Sequence, residues 1–397
     1  MKKKIYLLAF AAMAFSLFAM GNTSSAKMKN YTVSAKMKVK GKYKKSKNLN
    51  KYTKHYLLLR GYLEKMEKNG GGTLTLKKGT YKISNSLLVP NNVTIKFKNG
   101  VKLVKINKTG KAVYKASESM FQTITYKLGF KKKKAAGYTA TQNIKFIGEG
   151  KVTMDLKNIK NAKAIIIAHC QNVEVQNIRF KHMNTGHFLE IDAAKDVLIH
   201  NCSFSDVAKK SPVNKEAINI DTPDALTGGL TLAWSKPDKT PNLNITIENC
   251  KFKNLQRGIG THKYSQKKIN GKWALNCYHE NMVIRNNTFT NIKETGIFLM
   301  NWKNTTINNN IFVNNNFCLN FRGAQAPFVV SKNNFGKSTI TLAYNGKQKN
   351  INNKPYRNSQ SGKEYSPILT NLGIKKIAEL IAMNNKPLPA PTQAPAN

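Results

Sequence analysis

Acidic side chains are scarce in this sequence: 19 Asp and Glu stand against 66 Lys and Arg. Seven of the 19 nevertheless fall between residues 190 and 224, at Glu190, Asp192, Asp196, Asp206, Glu216, Asp221 and Asp224, where a uniform spread would put fewer than two. Like charges held close together raise one another's pKa and cost stability, so such a cluster points to use. Turn-capping carboxylates and a solvated acidic patch are the structural alternatives. Paired carboxylates are the working parts of glycosidic bond cleavage: one donates a proton, the other activates water or attacks the sugar. Asp192 and Asp221 are the expected pair, with Glu190 in reserve and His262 to relay protons. Arg257 and Arg322 suit a substrate carboxylate or sulfate, and Asn219 and Asn320 lie on the same face.

These residues sit in a short strand that recurs as HFLEID (187–192), EAINID (216–221), RGIGTH (257–262), GIFLMN (296–301) and CLNFR (318–322). Leu189/Ile191, Ile218/Ile220, Ile259/Thr261, Ile297/Leu299 and Leu319/Phe321 are its inward residues. Alternation then sends Glu190 and Asp192, Asn219 and Asp221, and Gly260 and His262 outward, followed by Phe298 and Met300, then Asn320 and Arg322. One outward column reads Asp192, Asp221, His262, Met300, Arg322. Insertions follow Asp221 and His262, and both are expected to wall the same face. They carry Trp234, Tyr264, Trp273 and Tyr278, and Trp302 follows the next strand. Flat rings suit the apolar faces of sugars, which makes Trp234, Tyr264, Trp273 and Trp302 the candidate substrate platforms.

The strand belongs to a longer repeat. NVEVQNIRF (172–180), DVLIHNCSF (196–204), NITIENCKF (244–252), NMVIRNNTF (281–289) and NTTINNNIF (304–312) end on Phe residues spaced 24, 48, 37 and 23 apart, with a weaker echo ending at Phe335. A unit near 23 residues, twice enlarged by an insertion, with alternating apolar residues inside it, marks a stacked β-solenoid. Val173, Val175, Ile245, Ile247 and Val283 are the expected buried positions. Asn177, Asn201, Asn249, Asn286 and Asn309 should stack as a hydrogen-bonded amide ladder. The Phe residues should form an aromatic column, and Ile178, Cys202, Cys250, Asn287 and Asn310 a third. Cys202 and Cys250 are expected as a stacked pair of thiols rather than a disulfide. A solenoid exposes pairing edges at its ends. The segment from Leu49 to Lys68, with Leu57, Leu58, Leu63 and Met66, reads as an amphipathic cap.

That helix, GGTLTLKKGTYKIS, VPNNVTIKFKNGVKLV and the NxxF coils together resemble the pectate-lyase-like superfamily of right-handed parallel β-helices. The resemblance covers roughly residues 50–340. It implies an all-β fold: a right-handed single-stranded parallel β-helix (β-solenoid) with short capping helices at its ends. The expected organisation is a signal peptide at 1–26, a basic segment at 27–48 and the capped helix at 49–342. A C-terminal extension with a short helix from Ile374 to Met383 occupies 343–385, and a Pro-rich disordered tail 386–397. Lys2–Lys4, an apolar run and small residues before Lys27 carry the signal-peptide reading. The expected protein is therefore secreted or attached to the cell envelope, without stable membrane insertion, and monomeric.

A net charge of +47 draws polyanions over a Debye length. For an exported chain with no nucleic-acid motif, the expected partner is an anionic polysaccharide and not nucleic acid. The order acid, acid, His, distal cation on successive coils is similar to polygalacturonase-type glycoside hydrolases, although their Asn-Thr-Asp, Asp-Asp and Gly-His-Gly strings are missing. A glycoside hydrolase on a uronate-type glycan is therefore the favoured reading, with no cofactor and no metal ligand assigned. A polysaccharide lyase or epimerase is the alternative, and in that case Glu190, Asp192 and Asp221 could hold Ca²⁺. A non-catalytic envelope glycan binder is the third. His169, His182, His187, His200 and His279 read as structural, with His187 near the edge of the cleft.

Overall fold

The computed structural model describes residues 27–344, apart from 131–133, 264, 270–271, 276, 323, 336–337 and 339. The signal-peptide, Ile374–Met383 helix and Pro-rich tail expectations lie outside the described residues.

Alternating apolar residues give each strand one buried face, and the chain buries it by winding into coils that pair in parallel, a right-handed parallel β-helix. Lys163–Gln176 pairs along its length with Leu189–His200. The latter pairs with Glu216–Asp221 at one end and Leu243–Glu248 at the other. Among the described residues, 23 strands join in one sheet, and Gln266–Ile269 with Lys272–Leu275 forms a separate antiparallel hairpin. The expected coil register holds: Leu189↔Ile218, Ile218↔Ile259, Ile259↔Ile297 and Ile297↔Leu319 stack in line. One expected core position moves. Met282 and Ile284 pair with Ile245 and Ile247 and are buried, so Val283 points the other way.

The aromatic column is continuous. Phe180, Phe204, Phe252, Phe289 and Phe312 stack with centroids 4.7–4.9 Å apart and ring planes within 13°, and Phe335 extends the stack at 5.5 Å. A spacing near 4.8 Å is the strand separation itself, so the backbone ladder and the ring stack reinforce each other.

The stack also shapes the next strand. Each coil turns a corner with two consecutive residues facing inward, Phe188–Leu189, Ala217–Ile218, Gly258–Ile259 and Gly296–Ile297. The first of each pair meets the rings: Phe188 lies 6.0 Å from both Phe180 and Phe204, and a Cβ on Gly258 or Gly296 would come within 2.8 Å of Phe289 or Phe312. At Gly258 and Gly296 only a small residue fits beside the rings, whereas the Phe180–Phe204 end of the stack accommodates Phe188.

The asparagine column has a different task from the one expected. Asn177, Asn201, Asn249, Asn286 and Asn309 all have φ between 54° and 56°, the left-handed turn that Asn tolerates better than most residues. Amide ladders run elsewhere. In the buried third column Asn287 Nδ2 donates to Asn310 Oδ1 at 3.1 Å and Asn310 Nδ2 to Asn333 Oδ1 at 3.0 Å, while Cys250 N donates to Asn287 Oδ1. Cys202 and Cys250 are free thiols in this column.

The N-terminal cap is the helix Lys54–Lys68, shorter at its start than Leu49, with Leu57, Leu58, Leu63 and Met66 buried. The basic segment contributes a strand of its own: Tyr31–Val33 pairs in parallel with Gly72–Leu76 and covers the first coil's edge.

Replacing Phe252, in the middle of the ring stack, by Ala should cost roughly 3–5 kcal/mol of unfolding free energy, the usual range for a buried Phe. Denaturant titration should show it. A loss below about 1 kcal/mol, within the range of a surface change, would mean the column does not hold the coils.

Candidate functional site

The phase shift at each corner decides which side chains meet on the outward face. Glu190 pairs with Asn219 and Asp192 with Asp221, as alternation requires. Before the corner the phase reverses, so Glu216 and Arg257, paired in register, face outward as well, with His187 one coil earlier. The strand ends at Gly260, and His262 sits in the following turn, folded back over the face.

These residues form a buried network. Asn219 Nδ2 donates to Asp221 Oδ2 at 3.0 Å and to Glu190 Oε1 at 3.2 Å, and Asn219 Oδ1 accepts from His262 Nδ1 at 3.0 Å. Asp221 Oδ1 accepts the backbone N–H groups of His262 and Lys263 at 3.0 and 2.9 Å. Glu216 Oε1 accepts from Arg257 Nη1 at 2.9 Å. Its Oε2 is 3.0 Å from His262 Nδ1, but that ring's hydrogen is aligned with Asn219, and Oε2 has no hydrogen bond. His187 Nδ1 donates to the Glu216 carbonyl at 2.7 Å. His187, Glu216 and His262 thus bring one possible metal-donor atom each within 4.8 Å of one another.

A cavity of about 260 Å³ opens over this network. Glu190, Asp221, His187 and His262 reach it, and Lys163, Lys215 and Lys263 line it with positive charge. A second cavity of about 490 Å³ adjoins it toward the N-terminal cap, sharing Glu118, Lys163, Ile166 and Leu232 and lined also by Trp234 and Tyr56.

Burial and neighbours spread the charge states apart. Burial, reinforced by Glu190 and Asp221, holds the Asp192 carboxyl well above the usual carboxylate range. Burial likewise lifts Asp221 to about 7, against the opposing pull of His262. In Glu190 the same burial is outweighed by Lys163 and then His187 and His262, and its pKa falls. Glu216 is brought down to about 2, its burial outweighed by the neighbouring His262. Burial depresses His187 to about 4, whereas in His262 burial is overcome by Asp221 and Glu216 and the pKa rises.

The fold has known counterparts. A family model described as a right handed beta helix region matches residues 138–358. The chain belongs to that right-handed β-helix family. Plasmin and fibronectin-binding protein A of Streptococcus pneumoniae is 27% identical over 189 residues, 45% of this chain but 25% of that protein. The chain thus spans a quarter of the length of this curated relative. A crystal structure of PfbA, a surface adhesin of S. pneumoniae, superposes with a TM-score of 0.56 at 17% identity, covering 73% of this chain and 71% of the other. A second structure, of the S. pneumoniae surface protein and adhesin PfbA, gives 0.50 at 20% identity over 65% and 62% of the two chains. At these identities the superpositions show the shared β-helix fold.

Within the family fold, the expected site residues separate into three groups. Glu190, Asp221, His262 and Asn219 come together as described. Asp192 is in register with Asp221 but fully buried and does not line the cavity. Asn242, at the end of the insertion, fixes the backbone beside it: its amide donates to Ile191 O and Asp221 O at 3.1 and 2.9 Å and accepts from Ala194 N at 2.8 Å. Arg257 is engaged by Glu216 and Glu294 and stacks 4.1 Å over Phe298, so it is not free for a substrate anion.

Trp302 is a core residue, fully buried with Nε1 donating to Thr261 Oγ1 at 2.8 Å. Trp234 lines the second cavity, not the first, and donates to Gln122 Oε1 at 2.8 Å. The end of its insertion folds back toward residues 135–138, where Ala135 bridges Ser235 and Gly137 N donates to Asp238, while residues 228–232 of the same insertion line the 260 Å³ cavity together with Lys263 at the start of the second. Asn320 and Arg322 lie two coils further on and do not line the cavity. Tyr264 and the side chain of Trp273 are outside the described residues.

Asp192→Asn should stabilise the protein at neutral pH. A carboxyl whose folded pKa is raised contributes stability that is complete below its unfolded pKa and lost as pH rises through the folded value. Asn keeps the neutral shape without that loss. The expected gain near pH 7 is at least about 1.4 kcal/mol, the worth of one pKa unit, with a flatter fall of stability above about pH 4, near the unfolded Asp pKa. A variant less stable than wild type at pH 7 would show that the ionised form is held by partners.

Proposed function

We propose that this protein acts at or outside the cell surface on an anionic polysaccharide, cleaving it between Glu190 and Asp221 as a glycoside hydrolase. One geometric observation carries the reading: two carboxylates reach a lysine-rimmed cavity and both accept hydrogen bonds from the same Asn219 amide group. Two oxygens sharing one nitrogen are separated by no more than two hydrogen bonds end to end. That favours the short spacing, about 5–5.5 Å, of retaining glycosidases over the about 6.5–9.5 Å of inverting ones.

In this reading the ionised Glu190 attacks the anomeric carbon. Asp221 gives its proton to the departing glycosidic oxygen, and the C–O bond breaks to leave a glycosyl ester on Glu190. Asp221, now the base, takes a proton from water, whose oxygen attacks the anomeric carbon; the bond from that carbon to the Glu190 oxygen breaks, restoring Glu190 with overall retention. Asn219 holds both carboxylates in place, and Lys163, Lys215 and Lys263 neutralise uronate or sulfate groups. The positive chain and the leader-like N-terminus agree with a surface location, as does the relative described as a surface adhesin.

That relative also favours a second reading, in which the same face binds an envelope glycan without cutting it. A lyase is the remaining enzyme alternative. Incubation with a panel of uronate, sulfated and neutral polysaccharides separates them. A hydrolase releases saturated reducing ends that keep the anomeric configuration, a lyase releases ultraviolet-absorbing unsaturated uronates, and a binder releases nothing. Glu190→Gln should lower turnover by about 10²–10⁴-fold with little change in melting temperature. Asp221→Asn should lower it comparably and also cost about 1–3 kcal/mol of stability, because an amide cannot accept from Asn219 Nδ2 and both backbone N–H groups at once. Full activity per folded molecule in both variants sinks the catalytic assignment.

A further inference from the structure

We infer that the glycan is a heteropolymer in which an uncharged sugar stands beside the anionic one, and that the 490 Å³ cavity holds the uncharged unit. The inference rests on the reading that this face takes an anionic glycan, whether it cuts the chain or only holds it.

The two cavities share one floor. Leu88, Gln122, Ile166, Glu190 and Asn219 are register partners on five successive coils, so the outward column beneath the second cavity runs on into the carboxylates of the first. Gln122 and Glu190 are two rungs apart, about 10 Å at the usual strand separation, which leaves room for neighbouring sugars of one chain. Among the described residues the column starts at Leu88, and Tyr56 and Arg60 of the cap helix line the cavity at that end.

The linings differ in charge. In the first cavity Lys215 and Lys263 have no ion pair among the described residues. In the second, each cation is already answered. Arg60 Nε donates to Glu64 Oε1 and its Nη1 to the Tyr56 hydroxyl, both at 2.9 Å, and the guanidinium lies 5.1 Å over the Phe130 ring. Lys163, shared by both cavities, stands 3.4 Å from Glu118 and 4.0 Å from Glu190. A uronate seated in the second cavity would add a negative charge beside Glu118 with no unpaired cation to meet it, and a charge taken out of water without a partner is costly.

The rest of the lining is neutral and suits hydroxyl groups. Gln122 Nε2 donates to Ser86 Oγ at 3.2 Å and Ser119 Oγ at 3.0 Å, and its Oε1 accepts from Trp234 Nε1. Asn85 donates through Nδ2 to Lys115 O at 2.9 Å, but its Oδ1 is buried on the cavity wall without a hydrogen bond. A buried acceptor left in this state calls for a donor, and a sugar hydroxyl supplies one. Tyr114, Phe130 and Trp234 add the flat apolar surface that sugar faces pack against.

The test compares two kinds of hexasaccharide on the full-length protein: hyaluronan and chondroitin, in which uronate alternates with an uncharged N-acetylhexosamine, and galacturonate homopolymer of the same length. Affinity is read by calorimetry, or as KM where the chain is cut. The alternating chains should bind at least about tenfold tighter, although charge attraction alone would favour the homopolymer, which carries twice as many carboxylates. Asn85→Ala should weaken binding of the alternating chains about three- to tenfold, the worth of one hydrogen bond, and Phe130→Ala should weaken it too. Neither change should alter affinity for the homopolymer. A homopolymer bound as tightly as the alternating chains overturns the inference and leaves the anionic-glycan reading standing, whereas binding of neither kind overturns both together. A preference that both variants retain in full places the uncharged sugar elsewhere and overturns it equally. Should Asn85→Ala not fold, Phe130→Ala, made at a side chain 67% exposed, decides together with the wild-type preference.

Discussion

In-register stacking of coils is the constraint from which the rest of this molecule follows. Every side chain has a neighbour one rung above and one below, at the strand separation of about 4.8 Å. For phenylalanine that spacing is an ideal ring stack, and the first five rings of the column repeat it within a few tenths of an ångström. For carboxylates it is a confinement. Asp192 and Asp221 are register partners, and Glu190 and Asn219 are too, so acids on this face cannot separate without breaking the ladder that holds every other coil. The same rigidity that makes the core regular makes the face electrostatically tense.

The tension is relieved unevenly, and the unevenness is what chemistry can use. Asp192, fully buried and given no hydrogen-bond partner, gives way by keeping its proton. Glu190 faces Lys163, and Glu216 faces Arg257 and His262; both remain ionised. Asp221 lies between these extremes because burial competes with His262, Asn219 and two backbone amides. Four carboxyl groups on neighbouring rungs thereby occupy different charge states, which is how a fixed scaffold can offer a proton donor and an anion side by side.

Much of the architecture was legible in the sequence because it is periodic. The 23-residue unit, the Phe column, the inward pairs and the register of Asp192 with Asp221 all follow from alternation and repeat. What escaped is where the period breaks. Extending alternation back from Ile218 puts Glu216 inside, and only the corner's two consecutive inward residues turn it out. The small residues Ala217, Gly258 and Gly296 in the later coils were the available signal, since the Phe289 and Phe312 rings leave room for little more at the two glycines. Trp302 was misplaced because its position after the strand, rather than its own pairing with His279, guided the assignment. Arg257 sits on the expected face, but Glu294, far away along the chain, takes its guanidinium, and no local pattern announces such a contact.

The insertions show why a repeat can carry a site at all. A bare unit near 23 residues has no length to spare for covering its own outward face, and a sheet open to water would screen the acids from one another. The insertion after Asp221 supplies the cover. It folds back along the helix axis, tied by Ser235 to Ala135 and to His169, by Asp238 to Gly137 and by Tyr138 to Pro241, and returns through Asn242 onto the strand that carries Asp192. Water is thus excluded where the carboxylates crowd and admitted where lysines rim the cavity. The dielectric gradient along one strand runs from the fully buried Asp192 to the cavity-facing Glu190, two residues apart. Family coils lacking such a cover would present the same residues as an ordinary solvated patch, so the chemistry of this face depends on the insertion as much as on the acids beneath it.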